Sequence, residues 1–136
     1  MCGIAGELTT GRLPDLAALE RVSEALAARG PDGAGAWSSS RCGLVHRRLS
    51  IIDLSACGAQ PMVDSELGLV VVFNGCIYNY RELRRTLQDA GHRFFSTSDT
   101  EVVIKAYHHW GEDFVQHLKG MFAFALHERD SGRLLL

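Results

Sequence analysis

Leu69-Val70-Val71-Val72-Phe73-Asn74-Gly75-Cys76-Ile77-Tyr78-Asn79 is the stretch that settles the fold class. From Leu69 to Phe73 the run is continuously apolar, three of its members valine, so a strand made from it has no face to offer to water. Such a strand must be covered on both sides, which implies a layered sheet. The Asn74-Gly75 pair that follows is, taken alone, the usual signal of a hairpin turn.

Downstream, Asn79 stands three residues ahead of Glu82 in the arrangement of a capping box. With Leu83 and Leu87 on one face and a stop near Gly91, this predicts a helix. Ser98 and Glu101 repeat the device ahead of Val102, Val103, Ala106, Tyr107 and Trp110, with Gly111 as the stop. Phe114, Val115 and Leu118 then predict a shorter helical piece. Both helices suit covers for the sheet. Met121 to Glu128 alternates through Phe122, Phe124 and Leu126, and Asp130-Ser131-Gly132 turns into Arg133–Leu136, which predicts a hairpin. An apolar strand at the last residue predicts a sheet that continues past it, because an exposed apolar edge is normally covered.

Upstream, Ser50 to Asp53 and Gly43 to His46 read as further strands, and residues 30–40 as turn chemistry with a short strand through Trp37. From Pro14 to Ala28, Leu16, Leu19, Val22 and Leu26 recur at helical spacing, with Pro14 in the first turn and Gly30-Pro31 as the stop. Gly3 to Glu7 predicts a strand that begins almost at the first residue, which places Cys2 at a strand end.

Hydrophobic residues make up 46% of the 136 and charged residues 22%, an ordinary globular balance. A net charge of -2 provides no basic footprint for nucleic acid or an anionic membrane. No apolar run approaches the ~18 residues of a membrane span, and no leader pattern opens the chain, so a cytoplasmic location is expected. Cys2, Cys42, Cys57 and Cys76 show no C-x-x-C spacing, which favours reduced thiols. His108 and His109 are helix neighbours that point apart, so no metal site is expected. Trp37 and Trp110 read as packing aromatics.

Removing Met1 would leave Cys2 with both a thiol and a free α-amine. The amine, with a reference pKa of about 8, can accept or relay a proton from a thiol of reference pKa about 8.5. Nucleophile and base would then be one residue. The dipeptide decides little by itself, and its meaning depends on the segments that accompany it. These are Arg29-Gly30-Pro31-Asp32-Gly33, His46-Arg47-Arg48-Leu49-Ser50-Ile51-Ile52-Asp53, Gly58-Ala59-Gln60-Pro61-Met62, Asn74-Gly75-Cys76-Ile77-Tyr78-Asn79 and Ser98-Asp99-Thr100-Glu101.

In this order the segments closely resemble the glutaminase domain of asparagine synthetase-type class II amidotransferases, over essentially the whole chain. The resemblance implies an α+β fold of the N-terminal-nucleophile type, a four-layer αββα sandwich incomplete at its C-terminus. It also implies L-glutamine as substrate, Cys2 as nucleophile, and Asn74 with the Gly75 N–H as oxyanion donors. Arg48 rather than Arg47 would hold the substrate carboxylate, a role suited to a bidentate guanidinium. Asp99 would meet the α-ammonium, although an acidic residue at a helix start is also favoured by capping and the dipole. Leu49, Ile51, Gly75 and Cys76 would complete the substrate pocket. Arg29 and its Gly-Pro turn would close over the nucleophile.

Position 76 is usually glutamate in asparagine synthetases, and here it is Cys76, which removes a charge from the ammonium site. The run from Asn74 to Arg84 resembles the subgroup that amidates N-acetylglutaminylglutamine. The glutaminase domain itself implies no cofactor. ATP and Mg would belong to a C-terminal synthetase domain, the implied partner, and the family allows a homodimer. Two further readings stay open: a glutamine-binding regulatory module without turnover, and another class II amidotransferase type.

Overall fold

The computed structural model describes residues 1–136. Its strands are β1 (Gly3–Leu8), β2 (Gly33–Ser38), β3 (Cys42–Arg48), β4 (Met62–Asp64), β5 (Leu69–Ile77), β6 (Gly120–Glu128) and β7 (Leu134–Leu135). Its helices are α1 (Leu16–Ala25), α2 (Tyr80–Asp89) and α3 (Asp99–Trp110), with 3-10 turns at Ala27–Arg29, Ala56–Gly58 and Gly111–His117. Two antiparallel sheets result, ordered β1-β3-β2 and β4-β5-β6-β7.

The expectation for the apolar run holds in detail. Val71, Phe73 and Ile77 join Leu83, Leu87, Val102, Val103, Ile104 and Phe114 in the core beneath α2 and α3. Val70 and Val72 join Cys42, Leu44 and Ala125 in a second core between the sheets. α1 lies on the outer face of the first sheet, where Leu19 and Leu26 press on the backbone at Gly43 and Gly3. The order of layers is therefore α1, first sheet, second sheet, α2 with α3.

Several boundaries differ from the sequence expectations, each for a physical reason. β5 runs on through Asn74-Gly75 to Ile77, because β6 pairs with it along its full length, so the pair is strand and not turn. Ser50–Asp53 is no strand. Its backbone finds partners without a sheet: Arg48 donates to the Asp53 and Ser55 carbonyls, and the Asp53 carboxylate accepts the Ser55 and Thr97 N–H groups. β2 is longer than the short strand through Trp37 that was expected, taking in Gly33 to Ser38, and β4 was not anticipated at all. Asp15, not Pro14, starts α1, accepting the Ala18 N–H at 2.9 Å. Of the four expected inner positions only Leu19 is buried, since a single helix on a sheet touches it along a narrow stripe. Asn79 caps α2 without a side-chain bond, because its amide joins His117 and Lys119 instead.

α3 is buried on every side from Asp99 to Tyr107. Its polar members are satisfied: Glu101 accepts from Phe95, Ser96 and the Ser96 hydroxyl, and Lys105 pairs with Asp64 at 2.5 Å. No helix is long and apolar enough to cross a membrane.

His46 on β3 and His127 on β6 are both buried, with no hydrogen-bond partner on any ring nitrogen. Burial outweighs an opposing interaction with the Phe73 backbone and, with a smaller push from the Arg48 charge, brings the His46 imidazole down to about 4. An unfolded histidine takes up its proton near 6.5, so the unfolded chain binds more protons between those values and stability falls as pH drops. Between pH 7 and pH 5 this one group should remove roughly 2 kcal/mol. His46→Leu is expected to weaken the pH dependence of urea unfolding over that interval by about this amount, and an unchanged slope would show that His46 does not titrate this way.

Candidate active site

β1 determines where position 2 lies. Its antiparallel register on β3, Gly3 opposite Arg47 and Ile4 opposite His46, brings Cys2 to the open end of the first sheet beside Arg48 and Leu49. The half-buried Cys2 Sγ accepts the Leu49 N–H at 3.3 Å and lies 3.6 Å from the Leu49 carbonyl oxygen. That N–H is placed to hold charge on the sulfur. Arg29 Nε donates to the Cys2 carbonyl at 3.2 Å, so the Arg29–Gly33 turn does close on this residue from behind. The turn is locked to β3 in turn: Asp32 N–H donates to the Arg48 carbonyl, and the Asp32 carboxylate accepts the Ser50 N–H. A Cβ on Gly30 would stand 2.3 Å from the Arg47 carbonyl, which only glycine avoids.

In front of Cys2 a cavity of about 500 Å³ opens between the ends of the two sheets. Every residue singled out from the sequence lines it: Cys2, Arg48, Leu49, Ile51, Asn74, Gly75, Cys76 and Asp99. Arg47 does not. Its Nε is tied to the Ser23 carbonyl and hydroxyl of α1 at 2.9 and 3.0 Å, on the other face of the sheet. Another cavity, of about 530 Å³ between α1 and β2, has no thiol in its lining.

Arg48 is half-buried, and two of the five guanidinium N–H donors are engaged by the Asp53 and Ser55 carbonyls. The remaining donors are available to an anion in the cavity, and the loop bonds hold the fork in place. Gly58 makes this possible, since a Cβ there would lie 2.5 Å from Arg48 Nη2. Asp53, which holds the loop, stays ionised. Burial works against its charge, yet donors from Ser55 and Thr97 outweigh it and hold the carboxyl well below the usual range.

The Gln60 and Asn79 amides are engaged within the fold. Asn74, by contrast, sits half-buried on the cavity wall, on the same strand face as Val70 and Val72. Gly75 is required for a reason the sequence did not reveal. A Cβ there would fall 2.3 Å from the Met121 carbonyl and 2.6 Å from Phe122 Cα, so the strand β6 approaches too closely for any side chain.

Asp99 opens α3 inside the protein, while Ser98 caps the helix by accepting the Thr100 N–H. One Asp99 oxygen accepts the Ile77 N–H at 3.1 Å. Burial nevertheless pushes its carboxyl above the ordinary range, the condition of a carboxylate that lacks a cation. Cys76 beside it adds no charge of either sign, since burial and the Asp99 charge push that thiol up and keep it neutral. No group of three or more His, Cys, Asp or Glu side chains is arranged to hold a metal ion.

A family model described as a glutamine amidotransferase domain matches residues 1–136. The chain belongs to this family. Among the amidotransferase domain's relatives, asparagine synthetase [glutamine-hydrolyzing] 3 of Bacillus subtilis is 38% identical over 130 residues, 93% of this chain and 21% of the relative. The corresponding enzyme of Asparagus officinalis is 43% identical over 129 residues, again 93% of this chain and 21% of the relative. The domain thus spans about a fifth of the length of these relatives. In three dimensions it is similar to the glutamine phosphoribosylpyrophosphate amidotransferase of B. subtilis, with a TM-score of 0.54 and 21% identity over 68% of this chain and 22% of that one. That likeness shows the N-terminal-nucleophile fold. Sequence reasoning did not assign Asp53, Gln60 or Thr100, which also line the cavity, although Gln60 lies in a segment that carried the resemblance.

Gly75→Ala in this amidotransferase domain should separate β5 from β6. A loss of about 1–3 kcal/mol is expected in urea unfolding, the range for overpacking against a rigid neighbour. Parental stability would mean that the two strands have room to part.

Proposed function

We propose that the domain hydrolyses free L-glutamine to glutamate and ammonia through a thioester on Cys2, once Met1 has been removed. The observation that supports this most is the convergence of a strand-end cysteine, an arginine, a side-chain amide and a buried carboxylate on one cavity in a member of this family. The cavity is of ligand size.

In this reading Arg48 holds the substrate's α-carboxylate and Asp99 its α-ammonium. The ammonium would relieve the unfavourable burial of the Asp99 charge, so free amino acids are preferred to amides within peptides. Leu49, Ile51 and Cys76 shape the space around the side chain. The Cys2 α-amine takes the thiol proton, and the sulfur bonds to the amide carbon. The Asn74 amide and the Gly75 N–H stabilise the oxyanion, each such donor being worth about 100- to 1000-fold in rate. On collapse the C–N bond breaks, and the nitrogen leaves as ammonia with the proton from the α-ammonium of Cys2. Water then attacks the thioester, the amine accepts its proton, and glutamate departs with the thiol restored.

Residues 1–136 are read as part of the glutaminase unit of a longer ligase, whose ATP- and Mg-dependent synthetase domain would consume the ammonia. The names and lengths of the relatives support this reading. For the acceptor, the Asn74–Arg84 run favours an N-acetylglutaminylglutamine-type dipeptide. A reducing compartment such as the cytoplasm suits four unpaired cysteines.

Cys2→Ala is expected to abolish ammonia release from glutamine while leaving glutamine binding by calorimetry intact. Turnover equal to that of the parent would remove the mechanism. A parent that binds glutamine without releasing ammonia would favour the regulatory module, for which the neutral Cys76 is the supporting feature.

A further inference from the structure

Gln60 is 9% exposed and belongs to the Gly58–Met62 segment, to which the mechanism above gives no role. Its amide oxygen accepts the Phe73 N–H at 2.6 Å, and its amide nitrogen donates to Thr100 Oγ1 at 3.2 Å. Phe73 immediately precedes Asn74, and Thr100 immediately follows Asp99. Asp99 itself accepts the Ile77 N–H at 3.1 Å. β5 is therefore tied to the first turn of α3 at two points, Phe73 through Gln60 and Ile77 through Asp99. Asn74, Gly75 and Cys76 lie between the ties, with β6 paired along their other edge.

The main chain of Gln60 is fixed as firmly as its side chain. A Cβ on Gly35 of β2 would fall 2.0 Å from the Gln60 carbonyl oxygen, so the residue is wedged between the first sheet and β5. An amide is suited to this place, because it accepts at one end and donates at the other without bringing a charge next to the buried Asp99. An apolar residue of similar length would leave the Phe73 N–H and the Thr100 hydroxyl without these partners.

From this geometry we infer that Gln60 is a positioning residue that sets the Asn74–Cys76 segment relative to Asp99, and so aligns the oxyanion donors with the ammonium site. The inference rests on the proposed glutaminase reading. Its two limbs act on different parameters. The Phe73 limb fixes Asn74, whose contribution is made in the transition state. The Thr100 limb fixes Asp99, whose contact with substrate is made equally in the ground state.

The test compares Gln60→Met, Thr100→Val and Thr100→Ser in steady-state glutaminase assays of the protein with Met1 removed, alongside thermal unfolding. Gln60→Met, if folded, should lower kcat by about 10- to 100-fold, as expected for a displaced catalytic group. Thr100→Val should raise KM by about 10-fold with kcat within about 3-fold of the parent, the pattern of lost uniform binding. Thr100→Ser, which keeps the hydroxyl, should return KM to within about 2-fold of the parent on the same reasoning. A folded Gln60→Met protein with parental kcat and KM would overturn the inference. If that variant does not fold, identical KM values for Thr100→Val and Thr100→Ser would overturn it instead. A parent without glutaminase activity would refute the underlying reading, an outcome distinct from both.

Discussion

The antiparallel register of β1 on β3 is the constraint on which the site depends. Side chains alternate along a strand, so a slip of one residue would carry Cys2 from the cavity face to the face covered by α1. The register is held by close contacts that tolerate no slip. Gly3 meets Leu26 of the turn after α1, and a Cβ on Gly6 would lie 2.7 Å from Leu44 Cδ2. The Arg29 bond to the Cys2 carbonyl then fixes the residue beyond the last strand pair. Strand register and the Arg29 side chain together aim the thiol.

Around that fixed point the charges are unequal by design of their surroundings. Asp53 is surrounded by donors and stays ionised, which locks the loop carrying the Arg48 contacts. Asp99 lies deeper, so burial outweighs its hydrogen bonds and pushes its carboxyl above the ordinary range. Arg48 is half-engaged, anchored by two carbonyls with its other donors directed elsewhere. In the proposed reading a zwitterionic amino acid would bind with its carboxylate toward the arginine and its ammonium toward the aspartate. With Cys76 neutral, the same reading would leave Asp99 as the main anionic partner for that ammonium.

The parts that could be read from the sequence are those with a repeating physical cause. Leu69–Phe73 is apolar without interruption and is buried on both faces, and the spacing of Leu83 and Leu87 matches the buried side of α2. The residues singled out for the site all reach one cavity. What escaped has no periodic signal. The 49–58 loop satisfies its backbone through Arg48 and Asp53 side chains, so it resembles a strand in composition but needs no sheet. Gln60 and Thr100 join three elements distant in the chain, and only their meeting reveals the bond. The need for glycine at 75 comes from β6, more than forty residues later.

Cys2, with its own amine, is the proposed reacting residue. The most direct measurement is covalent trapping with an electrophilic glutamine analogue such as a diazo or chloromethyl ketone, followed by intact mass and peptide mapping. Cys57 is the exposed thiol of the four and Cys2 only half-exposed, so simple accessibility favours the former. A single adduct on an N-terminal Cys2 lacking Met1, prevented by excess glutamine, is the expected result. Labelling of Cys57 or Cys76 in preference to Cys2, or a mature chain that still begins with Met1, would contradict it.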